Sequence, residues 1–146
     1  VLYGNKGPGA RYPDKDIGGT KAAIYVALTY LDSVRLGLAR TFWYSWSTKT
    51  DPLGITMTTG YPGATAFQTT HDGLTRAVVD CRNRHVQICR INRGGVLSLV
   101  AWTSSGDSGA FTVPYYATRM CDVRNRCQAV TAGAHMRIGR MPLWFG

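Results

Sequence analysis

The 146-residue chain contains no glutamate; its eight acidic residues are Asp14, Asp16, Asp32, Asp51, Asp72, Asp80, Asp107 and Asp122. Chemistry that needs a pair of glutamates therefore has no candidates within this chain. Asp14 and Asp16 stand at i, i+2 in a Gly/Pro-rich segment, and the other aspartates are scattered, so no aspartate pair is a credible substitute. Long apolar runs are also missing. The longest fall far below the roughly 18 residues that a membrane-spanning helix requires. Lysine disappears after residue 75, and no basic helix or dense basic run takes its place. The chain opens at Val1 without a signal-peptide pattern, which reads as a processed, trimmed or partial polypeptide.

The hydrophobic fraction of 45% and the charged fraction of 17% describe an ordinary globular chain rather than a disordered one. The charge is lopsided. Residues 1–75 carry a net of +2, whereas residues 76–146 hold ten Arg against three Asp, a net of +7. Basicity of this kind admits nucleic acid or another anionic polymer as a partner. The arginines, however, are spread over turns and alternating strand positions, so the solvated face of a sheet is favoured over nucleic-acid binding.

Periodicity divides the chain near residue 75. Thr20 reads as an N-cap, and Lys21–Ala39 as a helix with Ile24, Leu28, Leu31 and Val34 at helical spacing. Tyr25, Val26 and Tyr30 widen its apolar face, which predicts cover on more than one side. Thr41–Trp46 reads as a short aromatic strand and Ala64–Leu74 as a second helix, with Phe67, His71 and Leu74 on one face. From there the pattern becomes a succession of short strands: Val78–Asp80, Val86–Ile91, Val96–Thr103, Ala110–Val113, Ala117–Cys121, Gln128–Val130, His135–Ile138 and Leu143–Phe145. Their separators are turn-formers such as Asn92-Arg93-Gly94-Gly95. The fold class is thus α+β. A strand-helix-strand-helix portion over 1–75 belongs to a parallel α/β layer, and an antiparallel sandwich or small barrel follows over 76–146, packed directly against it.

The four cysteines fall as Cys81/Cys89 and Cys121/Cys127, each pair flanking an Arg-Asn-Arg turn. Even number, pairwise spacing and a hairpin context favour two local disulfides and an oxidising compartment. A metal site is the competing reading, because Cys81, His85 and Cys89 are evenly spaced. Structural zinc sites, though, use closely spaced ligand pairs such as CxxC, and the chain has none. His71 and His135 have no evident acid or ligand partner. Gly106-Asp107-Ser108-Gly109 resembles the nucleophile segment of trypsin-like proteases, with His71 and Asp80 preceding Ser108 in a permitted order. A turn between strands explains the same letters.

Phe42-Trp43-Tyr44-Ser45-Trp46 is the most suggestive stretch chemically. On a strand, Phe42, Tyr44 and Trp46 face one way, and Trp43 and Ser45 the other. Aromatic faces stack on the C–H-rich faces of sugars. Core packing is the simpler role for Phe42 and Trp43, and Trp46, before a polar loop, is the better binding candidate.

Together with Ala22-Ala23, Tyr30-Leu31-Asp32, Arg35-Leu36-Gly37, Leu53-Gly54-Ile55 and Gly63-Ala64 through Ala66-Phe67-Gln68-Thr69, this stretch resembles the closing elements of secreted glycoside hydrolases of the cellulase and β-xylosidase superfamily, especially actinobacterial ones. Thr118-Arg119-Met120-Cys121-Asp122 and Pro142-Leu143-Trp144-Phe145 resemble the β-sandwich that follows the barrel in such proteins. The resemblance implies the last two βα elements of a (β/α)8 barrel over 1–75 and an appended sandwich over 76–146. Lys21–Ala39 would be the seventh barrel helix, Ala64–Leu74 the eighth, and Val1–Tyr3 the tail of the seventh strand. It implies retaining hydrolysis of O-glycosidic bonds in a wall polysaccharide, with both catalytic glutamates before Val1 and no catalytic residue in this chain. Trp46 would stack on the sugar at the cleavage point, with Tyr44, Tyr3 and Asn5 lining the same cleft. It further implies an extracellular or cell-wall setting, no cofactor, and the missing N-terminal part of the barrel as a structural partner. A secreted, non-enzymatic β-domain that binds carbohydrate or an anionic wall polymer is the rival from another class.

Overall fold

The computed structural model describes residues 17–43, 55, 57, 59–82 and 84–146. Among the described residues two helices are followed by eight strands: α1 (Gly19–Arg35), α2 (Pro62–Leu74), β1 (Val78–Arg82), β2 (Val86–Arg93), β3 (Val96–Thr103), β4 (Gly109–Thr112), β5 (Arg119–Asp122), β6 (Cys127–Ala129), β7 (His135–Ile138) and β8 (Leu143–Phe145). All eight strands expected over 76–146 are present, with ends displaced by up to two residues. Every strand pair is antiparallel. Six strands form one sheet in the order β1-β2-β3-β8-β5-β6, while β4 and β7 pair separately.

The large sheet is covered on both faces. Leu99, Ala101, Met120 and Phe145 point towards Phe111 on β4 and Ile138 on β7, closing one apolar cluster. Cys89, Ile91, Val100 and Trp102 point the other way, onto Leu28 and Leu31 of α1. This double cover explains why β3 is buried continuously from Leu99 to Thr103 rather than at alternate positions. A third cluster joins Ala22, Ala23, Val26 and Ala27 of α1 to Ala66 of α2, and to Ile55, Met57 and Val123. The broad apolar face of α1 therefore does two jobs, meeting α2 and the sheet on different sides.

Several ends differ from expectation. The N-cap of α1 is Gly18, not Thr20, and no side chain caps it. The helix stops at Arg35 instead of Ala39. Its last carbonyls are satisfied when Gly37 N–H bonds Val34 C=O at 3.0 Å and Leu38 N–H bonds Ser33 C=O at 2.9 Å, the paired bonds of a Schellman ending. A proline can open a helix where its missing N–H is not needed, so α2 begins at Pro62 rather than Ala64. Of the expected strand Thr41–Trp46, the described part, Thr41–Trp43, takes no strand pairing. Among the described residues no strand lies beside it to supply a parallel ladder. Val1–Tyr3 lies outside the described residues.

The two disulfides sit in one cross-strand row. Cys81 faces Cys89, Cys89 faces Val100, Val100 faces Trp144, Trp144 faces Cys121 and Cys121 faces Cys127. Covalent links Cys81–Cys89 and Cys121–Cys127 thus close the row at both edges of the sheet. The competing metal reading of Cys81, His85 and Cys89 is overturned, since both sulfurs are engaged in the same disulfide.

Helix α2 meets this row through Gly73. A Cβ added there would overlap the Trp144 ring, so only hydrogen fits between helix and sheet. Gly73→Ala is expected to lower the unfolding free energy by about 1–3 kcal/mol through overpacking, despite the better helix propensity of alanine. Urea denaturation with Trp fluorescence measures it. A variant as stable as the parent chain would mean that Trp144 moves aside freely.

Candidate functional site

The C-terminal end of α1, the chain leaving it, and one face of α2 enclose a hollow of about 440 Å³. Tyr30, Phe67 and His71 form its aromatic wall: Tyr30 meets Phe67 edge-on at 5.4 Å between centroids, and Phe67 stacks on His71 at 6.0 Å. Helical spacing places Phe67 and His71 on one face of α2, as the sequence predicts. Trp43 and Phe42 form the opposite side, with Arg40 at the rim. Burial pushes the Tyr30 phenol above its usual value, against a backbone hydrogen bond from Trp43 that lowers it. Trp43 packs onto the α1/α2 cluster, in line with a core role. Phe42 does not: it is 81% exposed, which corrects the core assignment made for it. With Leu36 at 62% and Leu38 at 57%, it leaves an apolar surface at this end of the helices.

Among the described residues, no carboxyl group lines the hollow, so it holds no pair of carboxyls for acid–base work. Asp32 is held by Arg35 Nε at 3.0 Å. The Gln68 amide, and after it His71, hold the exposed Asp72 carboxyl below its usual range, the opposite of what a general acid requires. Asp122 is committed to the turn after β5, where it accepts hydrogen bonds from backbone and arginine donors. Of the residues proposed to contact sugar, Trp46, Tyr44, Tyr3 and Asn5 all lie outside the described residues.

The serine-protease reading does not survive the geometry. Ser108 Oγ accepts a hydrogen bond from Arg137 Nε at 2.7 Å, and Arg137 Nη2 binds the Ser108 carbonyl at 2.6 Å. His71 is engaged with Asp72 and Thr75 on α2, which packs across the other face of the sheet from β4. Gly109 packs its backbone against Val86 and His85, where a Cβ would collide with both. The glycine is thus a packing requirement of the β4 start.

A second hollow, of about 540 Å³, lies beside β4, over the β1–β3 part of the sheet face on which β4 packs. Arg82, Arg84 and Arg90 border it from β1, β2 and their turn, and Phe111, Tyr115 and Tyr116 from the opposite side. Periodicity and motifs assign Tyr115 and Tyr116 no role. The available signal was the Pro114-Tyr115-Tyr116 turn, in which two consecutive bulky aromatics cannot both be buried in a strand core. Among the described residues, no group of His, Cys and Asp is arranged to hold a metal ion, and no helix is long and apolar enough to cross a membrane.

No protein-family model matches the chain, and no curated protein matches it. Among solved structures, it is similar to a family 39 glycoside hydrolase from the gut symbiont Bacteroides cellulosilyticus WH2. The TM-score is 0.65 at 18% sequence identity, and the match covers 86% of this chain. It covers 29% of the length of that hydrolase. The likeness shows a shared fold: two packed helices leading into an antiparallel sheet system.

Proposed function

We propose that this chain is the C-terminal part of a retaining glycoside hydrolase that cleaves O-glycosidic bonds of a wall polysaccharide, with both catalytic glutamates outside these 146 residues. The observation that carries this reading is the fold likeness over 86% of the chain to under a third of a glycoside hydrolase. In this reading residues 1–75 close a (β/α)8 barrel, with α1 and α2 as its last two helices. Residues 76–146 form the appended sandwich, the β4–β7 pair acting as its smaller sheet. The apolar surface of Leu36, Leu38 and Phe42 fits this assignment, because barrel helices need further barrel elements to cover them. Two disulfides support an extracellular or cell-wall setting.

The division of labour then follows from the chemistry. Retaining hydrolysis needs two carboxyl groups about 5–5.5 Å apart, one attacking the sugar and one moving protons. Those come from the remainder of the barrel. This chain supplies one wall of the cleft, with Trp46 stacked on the sugar at the cleavage point and Tyr44, Tyr3 and Asn5 beside it. Isolated, it is catalytically silent. The coding sequence upstream of Val1 tests the assignment: a glutamate closing an apolar strand immediately before Val1 is expected. A start codon followed directly by a signal peptide and this chain would overturn it.

A further inference from the structure

The groove on the β-face has a composition that neither core packing nor the glycosidase cleft accounts for. Its floor is the β1–β3 side of the large sheet, where Arg82 lies opposite Ile88 and Arg90 opposite Leu99. One wall is the Pro114–Tyr116 turn; Tyr115 is 84% exposed and meets Tyr116 edge-on at 5.4 Å between centroids. Arg90 lines the same hollow as Tyr116, and its positive charge opposes the burial that raises the Tyr116 phenol. Asp80 is paired with Arg90 in register on β1, yet no carboxylate among the described residues forms an ion pair with Arg82, Arg84 or Arg90. Three arginines therefore line one concave surface together with Phe111, Tyr115 and Tyr116.

We infer that this groove binds an acidic glycan, a sugar chain bearing uronic-acid carboxylates. Tyr115 offers its ring surface to the C–H faces of the sugar, and Tyr116 the part of its ring not packed on the β4–β7 cluster. Arg82, Arg84 and Arg90 offer planar forks that match a carboxylate with two parallel hydrogen bonds. Single-stranded nucleic acid would also meet cations and aromatic rings in such a groove. Two features favour the glycan. The tyrosines are set at 83° to each other, which presents corners to a puckered sugar rather than a flat stack for successive bases. The disulfides favour an extracellular setting, where acidic polysaccharides are common polymers. The site lies across the sheet from α1 and α2, so it stands or falls independently of the glycosidase reading.

The test titrates the full 146-residue chain with oligogalacturonate and, as an uncharged match of the same backbone, with its fully methyl-esterified form. Calorimetry gives affinity, and NMR amide shifts give location. Binding to the acid form only is expected, with shifts at Arg82, Arg90, Tyr115 and Tyr116. Arg90→Ala should weaken it by about tenfold or more, the loss of a charge-assisted hydrogen-bond pair. Tyr115 is so exposed that Tyr115→Ala keeps the fold, and it should weaken binding as well. Equal affinity for the esterified form, shifts confined to the helical half, unchanged affinity in both variants, or tighter binding of single-stranded DNA would each overturn the inference.

Discussion

Removing both disulfides is expected to lower the unfolding free energy by about 4–5 kcal/mol, roughly 2–2.5 kcal/mol for each. The links close short loops, with sequence separations of 8 and 6, so each contribution comes from the lower end of the loop-entropy range. The effect is nevertheless large against the about 5–15 kcal/mol that holds a typical domain together. Position adds to it. Both links end one row of residues, so losing them frees β1 and β6, the two edge strands, from covalent attachment to the sheet. Urea denaturation of the oxidised chain and of a variant with all four cysteines changed to alanine measures the difference. Mass spectrometry with and without reductant should show a gain of about 4 Da, two hydrogens per link. Cys127 is exposed whereas Cys89 is 1% exposed, so mild reductant should open Cys121–Cys127 before Cys81–Cys89. Equal stability of the two forms would contradict this account of the sheet.

Asp122→Ala is expected to cost about 2–4 kcal/mol. The side chain is buried, and Oδ1 accepts the backbone N–H groups of Arg124 at 2.8 Å and Arg126 at 3.1 Å. Oδ2 takes Arg126 Nε at 2.8 Å, with Arg124 Nη2 at 3.5 Å beside it. Alanine leaves those backbone donors without an acceptor and two guanidinium groups without their counter-charge. The same carboxylate organises the loop inside the Cys121–Cys127 link, where Asn125 takes a positive φ of 59°. Its loss and the loss of that disulfide should therefore be non-additive. Asp122→Asn keeps one acceptor oxygen and should cost less than alanine. Unfolding midpoints of the two single variants and their combination check this, and a cost below about 0.5 kcal/mol for Asp122→Ala would place it among ordinary surface substitutions.

Local physics made much of the β-half legible in the sequence. Alternation and turn residues set the β2–β3 hairpin, whose register leaves Gly94-Gly95 as a two-residue turn. Cysteine spacing fixed both pairings, since each pair flanks one hairpin. Sheet order was not legible. β8 enters between β3 and β5, a long-range placement that no local signal specifies. Helix ends misled for a similar reason. Thr20 is a good capping residue by type, but Gly18 and Gly19 already turn the chain into α1, so Thr20 falls within the helix. Phe42 was misjudged because aromatic character alone does not tell a core residue from one awaiting cover. The groove of Arg82, Arg90, Tyr115 and Tyr116 was out of reach for the same reason as the sheet order: its two sides are far apart in sequence and meet only through tertiary packing.

The absence of glutamate has its clearest consequence in an activity comparison. The complete polypeptide encoded by the gene and this 146-residue chain are each incubated with aryl β-glycosides and wall polysaccharides, and the anomeric configuration of released sugar is followed by NMR. Under the proposed function, the complete polypeptide should hydrolyse with retention. Replacing the glutamates that the proposal places before Val1 by glutamine should lower the rate by about 10²–10⁴-fold or more, and the isolated chain should be inactive. Hydrolysis by the isolated chain, or none by the complete polypeptide on any glycoside, would contradict the assignment.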